Sequence, residues 1–289
     1  MGQLINAELR KILTTKMWWA LLIPTVVLGV VWAAIFSAFT GTFDDALSSD
    51  PTFQQLHISI ESLPLAVFAL ARAINITTLF PMLLGGLALS SEIRNRTITT
   101  TYLTAPTRGS VLGAKLITYL AVGLVYGLVI AGSASLGMLL GGHSHPDLMP
   151  SAGVWLGILG AGVLETVIWT LLAVGVGALV GNVIGTVLLL LLYSLVAENL
   201  LTATMNGHAP GFFPNQAGDG MTSAIASQAI LSHLPTLPTD VQTGLTYVIQ
   251  EITGARGVFD WWVNGLIFLA YLVIFFGLGW VASLKRDIT

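Results

Sequence analysis

Long apolar runs, separated by short polar segments, dominate the chain. Six runs approach the roughly 20 residues that an α-helix needs to cross a bilayer, and they are too long for the alternating strands of a membrane β-barrel. The sequence therefore predicts an all-α integral membrane protein with one transmembrane domain over residues 1–289. The predicted spans are 18–40, 73–89, 116–140, 153–180, 183–201 and 261–284.

Composition supports a membrane location. Hydrophobic residues make up 55% of the chain and charged residues only 9%, whereas a soluble domain carries about 25% charged residues. The first apolar run is too long for a cleaved signal peptide, and no small-residue cleavage site follows it. Because the chain contains no cysteine, disulfides, thiol catalysis and cysteine metal sites are excluded.

The distribution of basic residues predicts the orientation. Cytoplasmic flanks of membrane helices carry an excess of Lys and Arg, and placing the N-terminus inside leaves only Arg72 and Arg256 of the 11 bases outside. Both termini are therefore predicted to be cytoplasmic. The bases on the inner side are Arg10, Lys11, Lys16, Arg94, Arg96, Arg108, Lys115, Lys285 and Arg286.

The segment before the first span has an amphipathic pattern. Ile5, Leu9 and Ile12 share one helical stripe within residues 1–17, which predicts a helix lying in the inner membrane interface. An equally good interpretation is that the basic residues of this segment, Arg10, Lys11 and Lys16, only orient the first span.

Two further segments lie between the spans. Residues 57–72 are interpreted as an interfacial or outer segment leading into the second span, with Arg72 at its end. Residues 202–260 form a large outer loop before the last span. Within this loop, the runs Ser223–Leu234 and Val241–Ile252 are amphipathic enough for short helices on the outer membrane surface. Because a freely solvated loop would be more polar, we expect this hydrophobic loop to pack on the spans.

Glycines recur at four-residue intervals in several spans. Such spacing allows helices to approach closely in lipid, and it favours packing within the chain over an interface between subunits. The repeats are Gly137 and Gly141, Gly153 and Gly157, and Gly177, Gly181 and Gly185.

Residues 90–115 form a basic, threonine-rich connection between the second and third spans. This connection resembles the corresponding loop of bacterial ATP-binding-cassette type-2 permeases. Residues 212–218 and 285–288 resemble that family's outer loop and C-terminal segment. The matching positions in the connection are Glu92, Thr97, Leu103, Pro106, Arg108 and Lys115.

The resemblance implies a transporter subunit of the bacterial plasma membrane. In the family, this connection forms a short coupling helix that docks on a separate ATPase subunit, and two permease subunits assemble together. Cofactors are then absent from this chain, and ATP and Mg²⁺ belong to the partner. The alternative is a solvated loop that has no partner. The implied coupling residues are Glu92, Arg94, Arg96, Thr97, Leu103, Pro106 and Arg108.

One position departs from the family pattern. Arg96 replaces the glycine that usually precedes the threonine. Because Asn tolerates a left-handed backbone better than most residues, we expect Asn95 to support the turn instead.

Enzyme signatures are missing from the sequence. No phosphate-binding loop of the Gly-x-x-x-x-Gly-Lys-Ser/Thr type and no His-Glu-x-x-His pair occurs, so ATP hydrolysis is assigned to a partner, and neither an enzymatic function nor nucleic-acid binding is predicted. His143, His145 and Asp147 offer possible metal ligands, but such a short polar turn is more typically solvated, and no metal site is predicted.

Two acids fall within the spans. Glu165 is near the middle of the fourth span, where a carboxylate is costly and commonly functional. It is a candidate for the transport pathway, and a structural hydrogen bond is the alternative. Glu198 is interpreted as a solvated helix end. The second hypothesis for the whole chain is a stand-alone ion-coupled carrier or channel in which Glu165 takes part in proton movement.

Overall fold

A computed structural model describes residues 2–48, 63–104, 107–204, 211–234, 239–254 and 259–285. These residues are almost entirely helical. A π-helical turn, Tyr193–Ala197, joins the helices Val183–Leu192 and Glu198–Thr204. The helices are α1 (Gly2–Thr14), α2 (Met17–Ser48), α3 (Ala66–Thr77), α4 (Leu79–Arg94), α5 (Thr97–Thr104), α6 (Arg108–Gly141), α7 (Ala152–Val180), α8 (Val183–Leu192), α9 (Glu198–Thr204), α10 (Pro214–Leu231), α11 (Thr239–Thr253) and α12 (Trp261–Lys285).

Six segments are long and apolar enough to cross a membrane, which confirms the predicted number and order of apolar helices. The second combines α3 with α4, and the fifth combines α8, the π-helical turn and most of α9. The six are Met17–Thr42, Ala66–Arg94, Arg108–Gly141, Ala152–Val180, Val183–Thr202 and Trp261–Lys285.

The helix of the second span begins earlier than predicted. It starts at Ala66, and Arg72 lies within it. Its charge is tolerated because Arg72 Nε donates a hydrogen bond of 2.9 Å to the carbonyl oxygen of Ile252. That carbonyl is in the last turn of α11, where a helix attracts cations. Residues 57–62 lie outside the described part of the chain.

The fourth span, α7, occupies the centre of the bundle. Two-thirds of its most apolar window is buried, compared with 11% for α12. Close contact with α4 requires glycine, since a methyl group at Gly177 would lie 2.1 Å from the carbonyl oxygen of Gly86. Gly141 approaches Ala34 of α2 in the same way. These contacts agree with packing inside the chain, although Gly153 faces open space.

The helix α10 packs on the spans, as expected for a hydrophobic loop, but it is buried rather than resting on the membrane surface. It begins at Pro214, nine residues earlier than the predicted run, and it packs on α3, α7, α11 and α12. Small residues explain this burial, because Ala217, Gly218 and Gly220 let neighbouring side chains come close. The other predicted helix, over 241–252, is present as α11.

Contacts between distant segments define two ends of the bundle. The side chain of Lys115 meets Glu8, and Arg108 Nη1 donates to Leu284 O at 3.0 Å. The N-terminal helix, α5 and the end of α12 therefore share one end, called the terminal end below. The helices α10 and α11 lie towards the opposite end, where Ile249 joins a core with Leu63 and Leu148.

Candidate functional site

Four charged side chains form an ion cluster at the terminal end, called the terminal cluster below. Lys115 Nζ lies 2.6 Å from Glu8 Oε2 and 2.8 Å from Glu92 Oε1. Lys11 Nζ contacts the same two acids, at 2.6 Å from Glu8 Oε1 and 2.9 Å from Glu92 Oε1. The cluster thereby joins α1, the end of α4 and the start of α6, which are far apart in the sequence.

Burial makes these ion pairs structurally important. The side chain of Lys115 is only 1% exposed, while that of Lys11 is 42% exposed. Lys115 Nζ also approaches Ala88 O at 3.4 Å. Glu92 Oε2 has no hydrogen-bond partner within the described residues. Buried charges are tolerated only when they are paired and hydrogen-bonded, so each member of the cluster depends on the others.

The pKa of Glu8 depends on two opposing effects, burial and pairing with lysine. Burial alone would raise this pKa, but the charge of Lys115 and the hydrogen bonds from Lys11 and Lys115 outweigh it, so the pKa is lowered. Lys11 shows the opposite direction. Burial would lower its pKa, whereas the hydrogen bond to Glu8 and the charge of Glu92 raise it. Both shifts favour the charged forms.

The short helix α5 projects beside the terminal cluster. Thr97 Oγ1 donates to Glu92 O at 3.4 Å, and Lys11 Nζ reaches Thr101 Oγ1 at 3.5 Å. Leu103 is 84% exposed, more than any other exposed large hydrophobic residue in the described chain. The helix therefore presents an apolar side chain outward from a base that is fixed to two spans.

The turn before α5 differs from the prediction. Arg96, rather than Asn95, adopts the left-handed conformation, with a φ of 56°. Asn95 has an ordinary φ of −85°. The left-handed residue is therefore Arg96, at the position where type-2 permeases usually have glycine. Both Arg94 and Arg96 are exposed.

The remaining predicted coupling residues have different surroundings. Arg108 Nη1 bonds to the backbone of α12, and its guanidinium stacks over the Tyr102 ring, 5.3 Å from the centroid. Thr107 caps α6 by accepting a hydrogen bond from the Ser110 amide at 3.1 Å. Pro106 lies outside the described residues. Arg108 and Glu92 therefore hold the connection from within, whereas Leu103, Arg94 and Arg96 face outward.

A cavity of about 500 Å³ lies among the helices. Helices α2, α3, α4, α7, α10 and α11 contribute to its wall, together with the π-helical turn and α9. The lining mixes aromatic rings with polar and charged groups. It includes Trp32, Phe36, Arg72, Asn75, Trp169, Glu198, Asn215 and Asp219.

Glu198 is not the solvated helix end that was predicted. It is only 2% exposed. Its Oε2 accepts the Asn215 amide at 2.9 Å, and its Oε1 accepts the Gln216 amide at 2.7 Å. These amides are in the first turn of α10, where a negative charge is favoured. Glu198 therefore attaches the fifth span to α10.

Glu165 is fully buried near the middle of α7. Neither of its carboxyl oxygens has a hydrogen-bond partner in the described residues. It does not line the cavity, but Asp219, which interacts with it electrostatically, does. The structural hydrogen bond considered for Glu165 is thus not made to any described residue.

The polar turn with two histidines has ordinary local contacts. His143 Nδ1 lies 2.8 Å from Leu140 O, and the His145 ring packs against Gly41. Among the described residues, no group of three or more potential ligands is close enough to hold a metal ion.

Glu8 and Lys11 were not identified as site residues from the sequence. A signal existed, because Glu8 is three residues after Ile5 and four before Ile12, on the apolar stripe itself. A charge on an apolar face needs a buried partner.

No family model matches the chain, and a search of curated proteins finds no matching relative.

Proposed function

We propose that this chain is the membrane-spanning permease subunit of an ATP-driven exporter, and that α5 couples it to a separate ATPase subunit. The exposed side chain of Leu103 on α5 carries this proposal. Covering this apolar side chain with a partner would remove it from water, which favours association. The order of the motifs that resemble type-2 permeases supports the same function.

The terminal cluster connects α5 to the membrane helices, so force applied to α5 can be transmitted to them. A push on α5 reaches α4 through Thr97 and Glu92, and it reaches α6 through the contact between Glu92 and Lys115. The same cluster attaches α1, so three membrane-associated helices respond together. Buried ion pairs resist separation because isolated charges are costly in a low dielectric.

The proposed location is the bacterial plasma membrane, with both termini and α5 in the cytoplasm. Eight of the 11 bases lie at the terminal end of the described chain, as the positive-inside rule requires of a cytoplasmic side. We further propose that α1 lies in the membrane interface, where its exposed Leu13 contacts lipid. The eight bases are Arg10, Lys11, Lys16, Arg94, Arg96, Arg108, Lys115 and Lys285.

The assembly we propose contains two permease subunits and two ATPase subunits, with ATP and Mg²⁺ bound only by the latter. We place the cargo route next to the 500 Å³ cavity. A cavity of this size accommodates a small molecule, and its aromatic and polar lining is typical of ligand sites.

Affinity purification of the full chain from its native membrane tests the proposal. We expect an ATPase subunit with a phosphate-binding loop to co-purify, and the assembly to hydrolyse ATP. Leu103→Asp places a charge in the proposed contact, and burying it should cost on the order of a few kcal/mol. That cost corresponds to a weakening of the contact by two or more orders of magnitude.

Tyr247→Asp provides a matched control, because Tyr247 is also an exposed hydrophobic residue, 60% exposed, but lies on α11 towards the opposite end. This variant should keep the ATPase. Glu92→Ala is unsuitable as a coupling variant, since it would disrupt the terminal cluster. If Leu103→Asp retains the ATPase and exports normally, α5 is a solvated loop without a partner.

A stand-alone ion-coupled carrier remains the second candidate, and the buried Glu165 favours it. Transport by the purified chain alone in lipid vesicles, driven by an ion gradient and without ATP, would support this candidate over the exporter.

A further inference from the structure

Glu165 is a polar group without a local partner at the centre of the bundle. Its exposure is zero, and both carboxyl oxygens are buried without a hydrogen bond to any described residue. An ionised carboxylate in such a place would lose its hydration without receiving donors in return, which costs far more than a neutral acid does.

The packing of α10 against α7 places a second carboxyl group opposite. Gly162 of α7 lies against Thr222, and Gly218 lies against the Trp169 indole. The two helices therefore run antiparallel at this point. Glu165 lies between Gly162 and Trp169 on α7, and Asp219 lies between Gly218 and Thr222 on α10. Asp219 is half-buried and lines the cavity, whereas Glu165 does not line it.

No other charged group on the helices that pack against α7 is a partner for Glu165 within the described chain. Arg72 on α3 directs its Nε to Ile252 O. Two like charges near each other in a low dielectric cannot both be ionised at low cost. The charged groups on α4, α6 and α12 belong to the terminal end, and they are Glu92, Arg94, Arg108, Lys115 and Lys285.

We propose that Glu165 is a proton-binding site that exchanges its proton with the cavity through Asp219. In the resting state Glu165 is a neutral acid and Asp219 is a carboxylate. During exchange the proton leaves a Glu165 carboxyl oxygen and binds a carboxylate oxygen of Asp219, so the pair keeps one proton and one negative charge. Asp219 exchanges this proton for another from the cavity, so that at least one of the two carboxyl groups is always neutral. The site does not require an ATPase partner and therefore does not rest on the proposed exporter.

Infrared spectroscopy of the full chain in lipid nanodiscs at neutral pH tests this site. A neutral carboxylic acid gives a C=O band that is distinct from carboxylate bands. We expect this band in the wild-type protein, its loss in Glu165→Gln, and a shifted frequency in Asp219→Asn, because the neighbouring charge is removed. Asp147→Asn removes an exposed acid and should leave the band unchanged.

Isotope labelling gives a second measurement that needs no mutation. Carboxyl-¹³C glutamate should shift the band in the wild-type protein, whereas carboxyl-¹³C aspartate should not. Thermal unfolding in the presence of Na⁺ checks for a metal cation at the same place, and we expect no stabilisation.

Three results would overturn the proposal. Persistence of the band in Glu165→Gln would show that Glu165 is not the neutral acid. An unchanged frequency in Asp219→Asn would remove the route through Asp219. Stabilisation by Na⁺ in the wild-type protein, but not in Glu165→Gln, would assign the site to a metal cation instead.

Discussion

Lys115 has the most deeply buried charge of the terminal cluster. Lys115 faces two acids, and the second base of the cluster, Lys11, is partly accessible to water. Water and salt replace an exposed ion pair at little cost, but nothing replaces Lys115 if it is removed. The two lysines therefore differ greatly in their contribution to stability, although both contact the same acids.

Lys115→Met should destabilise the protein strongly, because it leaves Glu8 and Glu92 with only the half-exposed Lys11. Removing one partner of a buried pair costs about 3–5 kcal/mol, whereas Lys11→Met should cost about 1 kcal/mol or less. Denaturant titration of the purified variants in detergent measures both free energies of unfolding. Similar losses in the two variants would contradict the special role of Lys115.

Arg96 holds a backbone conformation that suits glycine. A left-handed backbone costs a non-glycine residue roughly 1–2 kcal/mol, and the greater freedom of glycine in the unfolded chain returns part of this difference. Arg96→Gly should therefore raise the free energy of unfolding by up to about 1 kcal/mol. Arg94→Gly is the control, because Arg94 ends α4 in helical geometry.

The control should lose about 0.5–1 kcal/mol, since glycine is unfavourable in a helix. The same denaturant titration compares the two variants. A loss of stability in Arg96→Gly would mean that the Arg96 side chain contributes more than its backbone strain costs.

At the scale of elements, α1 depends on one carboxylate for its attachment. Glu8 connects α1 to α6 through Lys115, and Ile12 adds an apolar contact. Because the pKa of Glu8 is lowered in the folded protein, its pairing stabilises the attachment above the unfolded value of 4.5. This stabilisation is lost as the pH falls below 4.5 and through the folded pKa.

We expect acid to release α1 before the spans unfold. A spin label at Leu13→Cys, on the exposed side of α1, should become more mobile below pH 4.5. Adding Glu8→Gln should remove this pH dependence, because no titrating carboxylate remains in α1. An identical acid transition with and without Glu8→Gln would show that another group controls the attachment.

Interruptions within the spans were not predictable from hydropathy. The second span is divided into α3 and α4 near Pro81, whose missing amide and ring disturb a helix. The fifth span contains the π-helical turn just before Glu198. Hydropathy averages over about 20 residues, so it locates an apolar segment but does not detect a local change in the hydrogen bonds of the backbone.

For the whole molecule, the sequence was sufficient to predict the number and order of the apolar helices, because their length is dictated by the bilayer. Packing of the outer loop on the spans was predicted from its hydrophobicity. The depth to which α10 is buried was not predicted, since its many small residues weaken the amphipathic pattern without indicating which helices pack together. The terminal cluster was also missed. Its members Glu8 and Lys115 are 107 residues apart, and no local pattern reports a contact over that distance.

Orientation is a property of the whole molecule that the cysteine-free sequence makes straightforward to test. Ser144 and Gln242 are exposed towards the end opposite the termini, and Asn95 is exposed at the terminal end. Each position can be replaced singly by cysteine. If the basic terminal end is cytoplasmic, a membrane-impermeant maleimide should label the first two variants in intact cells.

Asn95→Cys should react only after the cells are made permeable, which also shows that the site is accessible. Background labelling of this chain is zero because it contains no native cysteine. Labelling of Asn95→Cys from outside intact cells would place α5 on the outer surface, where no cytoplasmic ATPase can reach Leu103. That result would overturn both the orientation and the proposed coupling, but it would leave the proton site at Glu165 unaffected, because that site depends only on contacts inside the bundle.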